Sequence, residues 1–256
     1  MLSKSQIRLL TSLQHKKFRK QIGLFIVEGL KSVSEFLQSS YQVQQVVGLP
    51  DMLAKLGKIP HNIKSFEASE ADMQRISALT TQAGVLAVVS IPEEKPLDNL
   101  ILKNRFTMVL DDVQDPGNLG TIIRTADWFG FKRIVCSIGT VDAYNPKTVQ
   151  ASMGSLARVR VHYMTLEPLL SRKDVPVYGA VLNGNSLYKT TFGTEGVVVL
   201  GNEGKGISKE VMECISVPVT IPKVGGAESL NVALSAALFF AEIARKPDWK
   251  EESDPL

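Results

Sequence analysis

The sequence is poor in cysteine and histidine, and it has no long apolar run. Cys136 and Cys214 are its only cysteines, too few for a disulfide framework and without the spacing of a zinc site. His15, His61 and His162 are scattered, which also argues against a metal centre. No segment approaches the roughly 20 apolar residues that span a bilayer. We therefore expect a cytoplasmic protein that binds neither a metal nor a membrane.

A strong net charge is also missing, because 29 basic side chains face 26 acidic ones among 256 residues. The charges are nevertheless uneven, since the first 20 residues carry six basic side chains and no acid. Such a stretch attracts a polyanion, and Phe18 and Phe25 could add base stacking. The alternative is a solvated basic helix face. The residues that we expect to contact such a polyanion are Lys16, Lys17, Arg19 and Lys20.

Periodicity divides the chain into two α/β parts. An amphipathic helix follows Ser3, the strand LFIVEG turns into a helix over 30–37, and further alternation ends in an apolar strand at 85–89. Next come two prolines and five charges within 91–104, a composition typical of a connecting segment. We assign a small α/β domain to 1–92, the connection to 93–104 and a second domain to 105–256.

The second domain alternates short strands with helices, which predicts a mostly parallel sheet covered by helices on both faces. In three of its segments an apolar strand runs straight into a polar turn. These segments are 109–131, 197–208 and 217–244. Because turns at strand ends receive ligands in open α/β sheets, the three predict one composite site.

In the first segment, Pro116-Gly117-Asn118 opens a helix, where free backbone N–H groups suit an anion or a polar ligand. Arg124 follows six residues after Asn118. Its spacing from Asp127 also allows a local ion pair, with Arg124 as an ordinary solvated charge. The spacing leaves both roles open for Arg124.

The second segment ends in the turn 201–204, GNEG, whose glycines permit close backbone approach. It is not a P-loop, because Val199 stands where that motif needs its first glycine and Lys205 is followed by glycine. Glu203 has an alternative role as a cap for the helix that follows.

In the third segment, Ser229 and Asn231 lie near the start of a helix that is apolar nearly all round, and therefore buried. A serine at such a position is most often only a cap. Together with the glycines at 225 and 226, these small polar residues predict the floor of a pocket.

Together the three segments resemble, in order and spacing, the three motifs of the SpoU (TrmH) family of RNA ribose 2′-O-methyltransferases, in the SPOUT superfamily. The resemblance implies S-adenosylmethionine as cofactor, a homodimer and an α/β domain tied in a deep trefoil knot. SpoU relatives often carry a ribosomal-protein-like α/β domain that recruits RNA, and IGLFIVEG resembles its opening strand.

The resemblance also implies roles for single residues. Arg124 aligns with the family's catalytic arginine, but a guanidinium stays protonated at physiological pH, so phosphate-assisted or electrostatic activation of the 2′-hydroxyl is easier than literal base catalysis. The implied catalytic set is Arg124, Asn118, Glu203, Ser229 and Asn231. The positions implied to bind the cofactor, mainly through backbone, are Ala180, Leu182, Asn183, Leu200, Gly201, Ile221 and Leu230.

The function expected from this resemblance is 2′-O-methylation of a ribose in structured RNA, with ribosomal RNA first and transfer RNA second. One alternative is a non-catalytic RNA-binding or ribosome assembly factor on the same fold, which would bind RNA but not S-adenosylmethionine. Another is a nucleotide-dependent α/β enzyme, which the lack of a GxGxxG motif and of a P-loop disfavours.

Overall fold

The structure is a computed structural model that describes residues 2–79, 81–93, 102–246 and 249. Most of the connection predicted at 93–104 lies outside the described residues. Proximity of Cα atoms divides the chain into two units. Unit 1 comprises Met1–Glu93 and Asp142–Arg158, and unit 2 comprises Glu94–Val141 and Val159–Leu256.

Unit 1 contains a four-stranded sheet in the order β1-β4-β2-β3, with β4 antiparallel to β1 and β2, and β3 parallel to β2. Its first helix starts as predicted, because Ser3 and Gln6 form a reciprocal capping box. The strands are β1 (Leu24–Glu28), β2 (Val43–Gly48), β3 (Lys64–Glu67) and β4 (Val85–Ser90). The helices are α1 (Lys4–Ser12), α2 (Lys16–Ile22), α3 (Leu30–Leu37), α4 (Pro50–Leu56), α5 (Glu70–Ile76) and α7 (Pro146–Ala151).

The segment 142–158, which carries α7, packs within unit 1 although the sequence-based division assigns it to the second domain. The Tyr144 ring lies 4.7 Å from the Phe25 ring of β1, measured between centroids. Arg158 forms an ion pair with Glu35 of α3. The domain boundaries predicted from the sequence, 1–92 and 105–256, therefore remain a prediction. The contacts within the structure place residues 142–158 in unit 1.

Arg19 is buried, which corrects the expectation that it contacts RNA. Its side chain is 2% exposed, and its guanidinium donates to the carbonyl oxygens of Leu13 and Gln14 at 3.0 and 2.9 Å. It also forms an ion pair with Asp142, with 2.7 Å between Nη2 and Oδ2. A buried cation needs such partners. They hold the Arg19 guanidinium inside unit 1. The three predicted lysines are exposed: Lys16, Lys17 and Lys20.

Unit 2 contains a six-stranded sheet in the order β10-β8-β9-β5-β6-β7, and every pairing is parallel, as predicted. The strands are β5 (Phe106–Leu110), β6 (Arg133–Ser137), β7 (Arg160–Met164), β8 (Val177–Ser186), β9 (Gly196–Leu200) and β10 (Val217–Thr220). The helices are α6 (Pro116–Trp128), α8 (Glu167–Leu170), α9 (Lys209–Met212) and α10 (Val232–Ala244).

The centre of this sheet is apolar on both faces. All five residues of β5 and all five of β9 are buried, which explains why both strands are predominantly apolar, with Thr107 of β5 a buried polar residue. Helix α6 packs against α10. No helix among the described residues is long and apolar enough to cross a membrane. The buried strands fix the turns that follow their carboxyl ends.

The Asp142→Ala variant should lower the free energy of unfolding by about 3–5 kcal/mol, because it leaves the buried Arg19 charge without its anion. Urea unfolding measures the loss. The control is Asp51→Ala, which breaks the exposed Lys55–Asp51 pair of α4 and should cost about 0.5 kcal/mol or less. Equal losses in the two variants would contradict this account of the buried pair.

Candidate active site

The three motif turns of unit 2 lie at one edge of its sheet. They follow β5, β9 and β10, and these strands run parallel in the order β10-β8-β9-β5. Parallel strands end at the same edge, where open α/β sheets receive ligands. Hydrogen bonds between the turns show that they form one composite site, as predicted.

Glu203 links the second turn to the start of α6. Its carboxylate accepts hydrogen bonds from the backbone N–H groups of Gln114 and Asp115, both at 3.2 Å. It also accepts one from Asn118 Nδ2 at 3.0 Å. Glu203 does not have its alternative role as a cap of α9, because Ser208 is the N-cap residue of that helix. Glu203 therefore joins two motifs.

Asn118 extends this link to the third motif. Asn231 Nδ2 donates to Asn118 Oδ1 at 2.9 Å. Asn231 Oδ1 in turn accepts from the N–H groups of Ala233 and Leu234 and caps α10. The chain of contacts Glu203–Asn118–Asn231, which we call the motif bridge, spans all three turns. The Asn118 and Asn231 side chains both form hydrogen bonds within the protein, which suits them to positioning.

The surroundings of Glu203 favour its charged form. Partial burial alone would raise the pKa of its carboxyl group. Hydrogen bonds from the Asn118 side chain and from the backbone N–H groups outweigh that effect, so the pKa lies below the ordinary value of 4.5. The motif bridge is therefore anchored on an anion at physiological pH.

The second turn is held rigidly by its own atoms. Asn202 and Gly206 exchange two backbone hydrogen bonds, each of 2.9 Å. The Asn202 side-chain oxygen accepts from the N–H groups of Gly204 and Lys205. A Cβ added to Gly201 would lie 2.2 Å from the carbonyl carbon of Gly206, so the backbone packs too closely for any side chain there.

Arg124 and Ser229 are the uncommitted members of the predicted catalytic set. Both side chains are exposed, and neither makes a hydrogen bond or an ion pair with any residue that the structure describes. The Arg124 guanidinium is therefore available to a ligand. It is not neutralised by an acidic side chain among the described residues of its own helix.

The predicted cofactor positions lie on or just after the neighbouring strands β8, β9 and β10, except Leu230, which lies shortly before α10. Residues 180–184 of β8 pair with neither β9 nor β10, because the register with β10 jumps from Gly179 to Asn185. Apolar side chains stay open to solvent here, with Leu182 74% and Leu230 50% exposed. Exposed apolar side chains beside strand residues without a register partner fit a partly apolar ligand such as a nucleoside. The remaining predicted positions are Ala180 and Asn183 in β8, Leu200 and Gly201 at the end of β9, and Ile221 after β10.

Sequence analysis missed three polar residues that support the first turn. Asp112 has a left-handed backbone (φ 58°), and its carboxylate accepts from Gln114 Nε2 at 2.7 Å. Gln114 also donates to the Gly139 carbonyl at 2.8 Å, and Asn202 donates to the Asp112 carbonyl at 2.8 Å. All three residues lie in or beside the motifs. This position was the only signal in the sequence that could have identified them as site residues.

Cys136 and His162 lie outside these turns, on β6 and β7. Burial raises the pKa of the Cys136 thiol, which keeps it protonated. Burial and the positive charges of Arg133 and Arg160 lower the pKa of His162 to about 4. Both groups are therefore neutral near pH 7 and give no nucleophile or cation to the site.

A parallel sheet with a polar site at the ends of its central strands defines an α/β ligand-binding protein. Residues 105–241 match the SpoU rRNA Methylase family, and residues 4–87 match the MRM3-like substrate binding domain. The chain belongs to the SpoU rRNA methylase family.

Similar proteins resemble the chain over nearly its whole length. It is 34% identical over 230 residues to the 23S rRNA (guanosine(2553)-2′-O)-methyltransferase RlmP of Bacillus subtilis, covering 88% of this chain and 90% of that protein. The structure of a TrmH-family protein from Porphyromonas gingivalis is 43% identical, with a TM-score of 0.87 over 96% of this chain and 99% of that one. An AdoMet-bound rRNA methyltransferase from Sinorhizobium meliloti is 26% identical, with a TM-score of 0.84 over 96% and 97%.

The Gly201→Ala variant should lower the free energy of unfolding by about 1–3 kcal/mol, because its new methyl group would overlap the backbone of the second turn. Urea unfolding again measures the change. Gly225→Ala is the matched control, since a Cβ there meets no atom within 4 Å. It should change stability by no more than about 0.5 kcal/mol, and an equal effect of both variants would sink the packing argument.

The Glu203→Gln variant should lose about 1 kcal/mol of stability at about pH 7, because it weakens hydrogen bonds to a charged acceptor that is partly exposed to solvent. The folded-state pKa is depressed, so this contribution is present above the ordinary carboxyl pKa and is lost as pH falls through the folded value. The difference from the wild type should therefore shrink as the pH falls below the ordinary carboxyl value of 4.5. Glu210→Gln, an exposed glutamate of α9, is the control; a difference that does not depend on pH would contradict the role of the anion.

Proposed function

We propose that this protein transfers the methyl group of S-adenosylmethionine to a ribose 2′-oxygen of ribosomal RNA, and that 23S ribosomal RNA is its substrate. The observation that carries the proposal is the motif bridge, which joins three family motifs at one sheet edge while Arg124 and Ser229 stay uncommitted. The name of the Bacillus subtilis relative, a 23S rRNA 2′-O-methyltransferase, supports the choice of RNA.

When bound, S-adenosylmethionine supplies an electrophilic methyl group whose bond to sulfur breaks as the 2′-oxygen forms its bond to carbon. Residues 180–183 of β8 and the segments after β9 and β10 would hold the cofactor by backbone groups and apolar contacts, and so would fix the direction of approach. Once the cofactor covers Leu182 and Leu230, these apolar side chains keep water away from the cofactor site. Methyl transfer needs a positioned hydroxyl group and no metal ion. The polar and charged side chains of this protein are therefore sufficient for it.

Arg124 binds the phosphate next to the target ribose and stabilises negative charge that develops on the 2′-oxygen. A permanently protonated guanidinium does this without taking a proton, and the hydroxyl proton leaves to solvent or to the neighbouring phosphate. Ser229 contacts the ribose, whereas Asn118, Glu203 and Asn231 position the three turns. This division follows from which side chains are committed to hydrogen bonds within the protein.

Unit 1 recruits the RNA. Its match to a substrate binding domain supports this role, and so do the exposed Lys16, Lys17 and Lys20 of α2. Phe18 of the same helix is 40% exposed and offers a ring on which a base can stack. Arg19 has no part in this contact because it is buried.

The further properties implied by the family belong to the same proposal. We infer a homodimer, supported by Trp128 of α6 and Leu234 of α10, which are 83% and 59% exposed. A trefoil knot in unit 2 is consistent with the strand order β10-β8-β9-β5-β6-β7. The proposed location is the cytoplasm, where ribosomal RNA is modified.

The experiment transfers labelled methyl from S-adenosylmethionine to ribosomal RNA from a strain that lacks this gene, followed by alkaline hydrolysis. The wild type should leave label in alkali-resistant dinucleotides, because a 2′-O-methyl group blocks cleavage. Arg124→Ala should lower the rate by about 100-fold or more, through loss of charge stabilisation, while calorimetry finds its affinity for S-adenosylmethionine unchanged.

Arg75→Ala, an exposed arginine of α5, is the control and should keep the wild-type rate. Cofactor binding without label in any ribosomal RNA would mean that the proposed substrate is wrong. No cofactor binding at all would favour an RNA-binding protein without catalysis.

A further inference from the structure

Lys205 is an exposed cation on the rigid second turn. Its backbone N–H donates to Asn202 Oδ1 at 3.0 Å, beside the same contact from Gly204 at 2.9 Å. The next residue, Gly206, is paired with Asn202 through both of its backbone groups. A long side chain that starts from a fixed backbone loses less freedom on binding than one on a mobile loop.

The charge of Lys205 is not neutralised within the protein. Its ammonium makes no hydrogen bond or ion pair with a residue in the described part of the chain, and the side chain is exposed. The acid of the same turn, Glu203, is already engaged by three donors at the start of α6. An exposed cation that extends from a fixed backbone and has no anionic partner is suited to an anionic ligand.

Lys205 lies close in sequence to Glu203. Glu203 binds the start of α6, the helix that carries Arg124. Only Gly204 separates Lys205 from Glu203, so the Cα atoms of Lys205 and Glu203 lie within about 7 Å of each other. Glu203 contacts Asn118, and Arg124 lies six residues further along α6, about 9 Å along the helix axis. Lys205 and Arg124 thus extend from two segments that the motif bridge joins.

We propose that the Lys205 ammonium binds a backbone phosphate of the substrate RNA beside the methylated ribose, which makes Lys205 a substrate-binding residue. The inference rests on the proposed function, since it needs RNA at this site. Every internal ribose in RNA has a phosphate on each side, and Arg124 can hold only one of them. A lysine is a compact point charge that binds phosphate without demanding bidentate geometry. The other anion near this turn would be the cofactor carboxylate, so cofactor affinity separates the two ligands.

The test compares the wild type with Lys205→Gln, Lys205→Arg and the matched control Lys209→Gln, which removes an exposed charge from α9. The rate constant kcat/KM for in vitro transcribed 23S ribosomal RNA is measured at about 50 and about 200 mM salt. Lys205→Gln should have kcat/KM about tenfold lower at the lower salt, and its logarithmic salt slope should be smaller by about 0.7–1. Lys205→Arg should keep the wild-type slope, because it keeps the charge.

Three results would overturn the inference while leaving the proposed function intact. One is a wild-type salt slope in Lys205→Gln. The second is weaker binding of S-adenosylmethionine by Lys205→Gln in calorimetry, which would assign the ammonium to the cofactor carboxylate. The third is an equal loss in Lys209→Gln, which would mean a general effect of charge. A wild type that transfers no methyl group to RNA would instead reject the proposed function, and this inference with it.

Discussion

The hydrogen bonds of the Glu203 carboxylate hold the active site together. One anion accepts two backbone N–H groups and the Asn118 amide, and Asn118 then binds the residue that caps α10. Together with the bond from Asn202 to the Asp112 carbonyl, these hydrogen bonds join the three polar turns. The bonds to the Glu203 carboxylate keep its pKa low, so the site is held by a charge that persists at physiological pH. What remains free, Arg124, Ser229 and Lys205, is what a substrate can reach.

Much of this architecture could be predicted because the signals are local. Strands β5 and β9 are predominantly apolar since both are buried on two faces, and the capping box of α1 is complete within four residues. Turns rich in glycine and asparagine mark strand ends, and parallel strands bring those ends to one edge. The composite site followed from these features, and the family resemblance added the identity of its ligands.

The rest could not be predicted because it depends on contacts that are distant in sequence. Arg19 pairs with Asp142, 123 residues away, and no periodicity reveals that a lysine-rich helix turns one cation inward. Helix α7 is six residues long, too short to show an apolar repeat, and its contacts with β1 follow from the fold alone. Glu203 has the same sequence context whether it caps α9 or binds α6; only the arrangement of the strands decides.

The most direct test of the central claim is a map of 2′-O-methylation over the ribosomal RNA of the host strain, with and without this gene. The account predicts that one ribose loses its methyl group, and that the wild-type gene restores it while a gene encoding Asn231→Ala, which breaks the motif bridge, does not. An unchanged map in the strain without the gene would contradict it, as would full restoration by that variant.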